Sequence, residues 1–164
     1  VVAREDVTLG FLPFGESTLC ALFGITDPLE GCDSLSRRIT KQLALGKANQ
    51  TFFLNTITAT VPSGTQLKCN NQWSLITQTD HSELTVTNTG VLHITVQPQT
   101  SAKNFLHKTK QLQATSLIVK ELKLEHPDIA LPLLLDGETT LKTPVTITIK
   151  PKAIKVIVGK HRLV

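Results

Sequence analysis

The sequence predicts a mainly β, antiparallel, β-sandwich-like fold with one helix, at about 34–45, packed on a sheet; an α+β two-layer arrangement is the alternative. Three observations carry this. Threonine makes up 23 of 164 residues and repeatedly alternates with Val, Ile and Leu. β-branched side chains suit a half-buried pleated surface, so a sheet with a polar outer face explains the excess. Val145, Ile147 and Ile149 alternate with Thr146, Thr148 and Lys150, the period of a strand with one face buried. Asn88-Thr89-Gly90 joins two alternating runs and supplies residues tolerant of positive φ, a hairpin signature.

Taken in order, 7–14 reads as a strand, and Gly15-Glu16-Ser17 as a turn into an apolar strand over 18–25. Residues 26–33, with Pro28 and Gly31, read as a loop. The helix follows: Asp33 or Ser34 as N-cap, Leu35, Ile39 and Leu43 on one stripe, and Gly46 as the left-handed C-cap. Arg37, Arg38 and Lys41 then form its solvated face. Residues 51–61 read as one strand, with Phe53, Ile57, Ala59 and Val61 on the core side. Residues 73–78 read as a short strand with Trp73 as a core or edge anchor, and 83–88 with 91–97 as the hairpin. Residues 98–115 fit either a short helix carrying Phe105, Thr109 and Leu112 or a basic loop. Strands are expected at 117–125 and 131–135, and at 143–150 and 154–158 with a turn at Pro151-Lys152. No repeat appears. One compact domain over 1–164 is expected, with a weak internal boundary near 62–71.

Composition sets further bounds. Apolar residues make up 40% and charged residues 18%, a globular balance, and six Phe with one Trp and no Tyr leave the core aliphatic. The net charge of +4 is unevenly spread, acidic over 1–30 and basic over 101–164. Cys20, Cys32 and Cys69 have neither zinc nor redox spacing, and read as thiols in a reducing compartment. Without a signal-peptide pattern or a run of about 18 apolar residues, an intracellular setting, cytoplasm or nucleus, is expected.

The chemistry-bearing motifs are few. No glycine-rich phosphate loop, dinucleotide fingerprint or serine elbow occurs. Asp80-His81-Ser82 has the residue types of a triad, but neighbours in an extended chain point to opposite sides and cannot relay a proton among themselves. His126-Pro127-Asp128 resembles the tripeptide through which J domains stimulate their chaperone partners. That family sets it between two long helices, whereas strands flank it here, so it reads as a proline-bounded loop. The five histidines are scattered, and no metal or cofactor site is assigned.

The positive lead is a basic C-terminal face of Lys142, Lys150, Lys152, Lys155, Lys160 and Arg162. Such a face attracts an acidic protein partner or phosphate backbones, and lysines also protect exposed strand edges. The sequence therefore predicts a non-enzymatic interaction or assembly subunit, a member of a larger complex or oligomer docking through strand edges and this face. A nucleic-acid-associated β domain and a coat-like structural β-sandwich are the alternatives.

Overall fold

The computed structural model describes residues 7–15, 20, 21, 23–99 and 113–160. Among them lie the helix α1 (Pro28–Arg37), helical backbone at Cys20 and Ala21, and thirteen strands. The strands are β1 (Thr8–Leu9), β2 (Thr40–Ala48), β3 (Thr51–Phe53), β4 (Thr56–Val61), β5 (Gln66–Cys69), β6 (Trp73–Ile76) and β7 (Ser82–Asn88). They continue as β8 (Leu92–Pro98), β9 (Thr115–Val119), β10 (Glu121–Glu125), β11 (Pro132–Leu135), β12 (Thr139–Lys142) and β13 (Val145–Ile157). A mainly antiparallel β fold with one helix and two sheets is what the sequence predicts. The chain divides into two compact units, residues 45–150 and residues 1–44 with 151–164; β2 and β13 contribute residues to both. The 62–71 stretch lies inside the first of these, running from the end of β4 through β5.

The unit of residues 45–150 is a sandwich. One sheet has the order β3-β2-β13-β10-β5-β6, the other β12-β11-β4-β7-β8-β9. Alternate residues from both fill a single aliphatic core: Ile57, Leu84, Val86 and Ile94 from one layer meet Leu67, Leu122, Leu124 and Ile147 from the other, all inaccessible to solvent. Each such side chain contributes about 1.5–3 kcal/mol by leaving water. The hairpin at 88–90 forms as its sequence requires: Gly90 takes φ 89 and donates to Asn88 Oδ1 at 3.0 Å.

Two expected single strands are each broken between the sheets. The run 51–61 splits into β3 and β4, which lie in different sheets. At the break, the Asp136 carboxylate accepts the backbone N–H groups of Leu54, Asn55 and Thr56 at 2.6, 2.8 and 2.9 Å. The run 117–125 likewise splits into β9 and β10, again in different sheets. Here Asn70 Oδ1 accepts from Lys120 N at 2.8 Å and Glu121 N at 3.1 Å. A strand leaving one ladder for another strands its backbone donors, and a side-chain acceptor from a neighbouring turn satisfies them at both corners. At the other end of the unit the two expected strands 143–150 and 154–158 are one, β13. Lys152 takes φ 50 within it, and Ala153 and Ile154 are buried in succession where alternation would expose one.

The second unit holds the helix, and its position corrects the expected span 34–45. Asp27 is the N-cap, accepting from Glu30 N at 2.9 Å, Pro28 opens the first turn, and Arg38 at φ 53 ends the helix. Glu30 in turn accepts from Thr26 N at 2.9 Å. Residues 40–45, expected to be the second half of the helix, lie in β2. Gly31 packs the helix on 11–13: a Cβ there would lie 2.7 Å from Leu12 Cδ2. The apolar run over 18–25 is not a strand where it is described, since Phe23 N and Ile25 N both donate to Cys20 O, closing a turn. β1 pairs in parallel with β13 at Thr8↔Lys155 and Leu9↔Val156, shorter than the expected 7–14. Phe11 stacks on the buried Phe23, their ring centroids 5.1 Å apart. Phe105, Thr109 and Leu112 lie outside the described residues.

Candidate functional site

The outer face of the six-stranded sheet explains where the threonines go. One cross-strand row runs through all six strands as Thr140, Leu134, Thr58, Thr85, Thr95 and Ser116. Beside it, Thr60 pairs with Glu83 and Glu83 with Gln97, while Pro132 pairs with Lys142. Between these rows lies an open groove of about 430 Å³, lined by Thr58, Thr60, Glu83, Gln99, Pro132, Leu134 and Thr140, with the backbone of Ala59 and Leu133 beneath. Glu83 is its one ionised side chain, and Gln99 Nε2 donates to it at 3.5 Å.

At the border of the same sheet the β11–β12 hairpin turns through Asp136 (φ 49) and Gly137 (φ 77). Asp136 faces back to the Leu54–Thr56 corner, and its own N–H donates to Thr56 O at 2.8 Å. Glu138 N donates to Leu135 O at 3.0 Å, so the turn is closed from both sides. The Glu138 side chain is exposed and makes no hydrogen bond or ion pair among the described residues. The hydrogen bonds hold the backbone of the turn, and the Glu138 carboxylate projects from it into solvent. In the sequence Asp136-Gly137 marks the turn, but nothing local shows that Asp136 reaches back some eighty residues, or that Glu138 stands clear.

The residues of the expected basic face are distributed as follows. Lys142 is exposed on β12 of the six-stranded sheet, and Lys150 is half-buried on β13 of the other sheet. The sandwich therefore does not bring these two onto one sheet. Lys152, Lys155 and Lys160 are exposed in the unit containing the helix, and Arg162 lies outside the described residues. Ser82 is buried, with its hydroxyl 2.5 Å from Thr79 Oγ1, so the Asp80-His81-Ser82 segment is a turn entering β7. His126 ties its loop: Nδ1 accepts from Asp128 N at 3.2 Å and Ile129 N at 3.3 Å, and Nε2 lies 3.2 Å from Ser63 O. No cluster of three or more His, Cys, Asp or Glu side chains able to hold a metal occurs among the described residues. No helix among them is long and apolar enough to cross a membrane.

The class defined by this architecture is an antiparallel two-sheet β-sandwich with a helix-bearing second unit. No protein-family model matches the chain, and no curated protein sequence matches it. Solved structures do. A structure described as a diacylglycerol kinase from Bacillus anthracis str. Sterne superposes with a TM-score of 0.74 at 17% identity, over 93% of this chain and 67% of that one. Two further structures from that organism, given as candidate diacylglycerol kinases, reach 0.75 and 0.74 at 16% identity, over 93% of this chain and 70% and 69% of theirs.

These likenesses show the fold, and they overturn the expectation of a non-enzymatic assembly subunit. That expectation rested on missing catalytic motifs. A fold is set by the pattern of its core and persists here at 16–17% identity, so a missing local motif is no argument against a catalytic role.

Proposed function

We propose that this chain is the β-sandwich portion of an enzyme that phosphorylates the hydroxyl of a diacylglycerol-class lipid. The observation that supports this is the superposition on a diacylglycerol kinase over 93% of the chain. In such a reaction the lipid hydroxyl oxygen attacks the terminal phosphorus of a nucleoside triphosphate, the nucleoside diphosphate leaves, and the hydroxyl proton passes to a base. Glu138 is the carboxylate we assign to receive it, because it is exposed and unpaired among the described residues, on a turn that Asp136 anchors. The free thiols of Cys32 and Cys69 fit a reducing, intracellular setting for this chemistry.

The test is transfer of labelled γ-phosphate to diacylglycerol in mixed micelles by the full polypeptide that carries this chain, with formation of phosphatidate expected. Glu138→Gln should lower kcat by at least about 100-fold with KM little changed. Absence of lipid phosphorylation across diacylglycerol, monoacylglycerol and ceramide overturns the proposal. Full activity of Glu138→Gln removes only the assignment of the base.

A further inference from the structure

Two sets of threonines in the sandwich differ in what their hydroxyls do. Thr65 Oγ1 donates to Pro62 O at 2.8 Å, Thr77 Oγ1 to the same carbonyl at 2.5 Å, and Thr143 Oγ1 accepts from Leu131 N at 2.8 Å. These three are buried, and their hydroxyls satisfy turn backbone. Thr58, Thr60 and Thr140 make no side-chain hydrogen bond among the described residues, and all three line the groove on the six-stranded sheet. Along β4, Thr58 and Thr60 are two residues apart and so present their hydroxyls on the same face, about 7 Å apart.

Between these hydroxyls the groove floor is apolar, formed by Pro132 and by Leu134, which is 38% exposed. Among the lining residues the charge is a single carboxylate, Glu83, with a carboxamide beside it at Gln99, and the exposed Lys142 stands on the bordering row outside the lining. Hydroxyls both donate and accept, the carboxylate accepts and the carboxamide does both. The lone negative charge disfavours a phosphate or carboxylate ligand. The complement of such a surface is an uncharged molecule with several hydroxyls and one C–H face. The volume, about 430 Å³, lies within the range of small-ligand sites, about 300–1,000 Å³. No aromatic ring lines the groove to stack on a sugar face, which limits affinity.

We propose that this groove is a binding site for a neutral polyol of sugar size, held by Thr58, Thr60, Thr140 and the Glu83–Gln99 pair over Pro132 and Leu134. The proposal does not rest on the lipid kinase reading. It is tested by amide chemical-shift titration of the full chain with methyl glucoside, myo-inositol and, separately, inorganic phosphate. Saturable shifts at Thr58, Thr60 and Thr140 with a millimolar Kd for at least one polyol, and none with phosphate, are expected. The Thr58→Val/Thr60→Val variant should bind at least about fivefold more weakly, since each lost hydrogen bond is worth a factor of a few. If that variant loses its dispersed spectrum, Glu83→Gln with Thr140→Val serves in its place. Linear, non-saturating shifts, shifts on another face, unchanged affinity in the folded variant, or phosphate binding at the same amides would each overturn it.

Discussion

The two sheets of the sandwich share one core but present different outer faces. The sheet containing β5, β10 and β13 carries a cluster of paired charges: Lys68 bonds Glu125, and Lys123 Nζ lies 3.5 Å from Glu121 and 2.8 Å from Asn71 Oδ1. On the other, the cross-strand row is threonine and serine apart from Leu134, with one close hydroxyl contact, Thr95 Oγ1 to Ser116 Oγ at 3.5 Å. Both solutions keep a half-buried sheet soluble. The charged face satisfies its own side chains, whereas the hydroxyl face leaves its groups open to solvent or ligand.

The difference disappears on the inner side, and the largest predicted effects test that. Leu84→Ala on the hydroxyl-faced sheet and Leu122→Ala on the charged one should each cost about 2–5 kcal/mol in urea unfolding, because both side chains are fully buried in the one core. A twofold or greater disparity would mean that one layer is secondary to the other. Next come the corners. Asp136→Ala removes the acceptor of three N–H groups and should cost about 1–3 kcal/mol. Asn70→Ala removes the acceptor of two and should cost less.

On the outer faces the effects are smaller and differ in kind. Lys68→Ala should cost at most about 1 kcal/mol and lose that effect in high salt, since both partners are more than a third exposed. Thr85→Val, on the hydroxyl face, should change stability by no more than about 0.5 kcal/mol, with no salt dependence. The smallest effect is set by pH. Burial pushes the Cys69 thiol above its ordinary value of 9.0. The folded chain then holds that proton more tightly than the unfolded one, so the contribution is intact below pH 9 and lost as pH rises through the folded value. Between pH 7.5 and 10, stability should fall more in the parent than in Cys69→Ala.

Much of the sandwich is legible in the sequence because a half-buried strand writes its period into the residues. Phe53, Ile57, Ala59 and Val61, then Leu84, Val86, Leu92, Ile94 and Val96, all point to the core as their alternation requires. Leu35, Ile39 and Leu43 share a helical spacing by coincidence, and this shifts the expected helix past its true span, since Leu43 lies in β2. The stronger local signals are Asp27-Pro28 with Glu30, a cap and a first-turn proline, which Gly31 and the preceding turn residues disguise as a loop. Gly46 has the look of a helix cap, yet it lies in β2 opposite Phe53, where glycine is needed because a Cβ would lie 2.0 Å from the Phe53 ring. The break in 51–61 is not legible, since the alternation of Phe53 with Ile57, Ala59 and Val61 runs across it. In 117–125 the buried positions change phase, from Val119 to Leu122 and Leu124, but the residues that hold the two breaks, Asp136 and Asn70, are distant in sequence. The groove was equally hidden: its lining comes from β4, β7, β11, β12 and the end of β8, and only the pairing register assembles it.

The two corners also bear on how the sandwich comes apart. Because the chain passes from one layer to the other at Leu54-Asn55 and again at Lys120, the layers are joined by almost no slack, and each joint is fastened by a side chain from elsewhere. Neither layer can slide or peel by a residue pair without releasing those fastenings. Slow amide exchange in β4 and β7 should therefore be lost together with that in β5 and β10 as denaturant is raised, as one opening event with a single free energy.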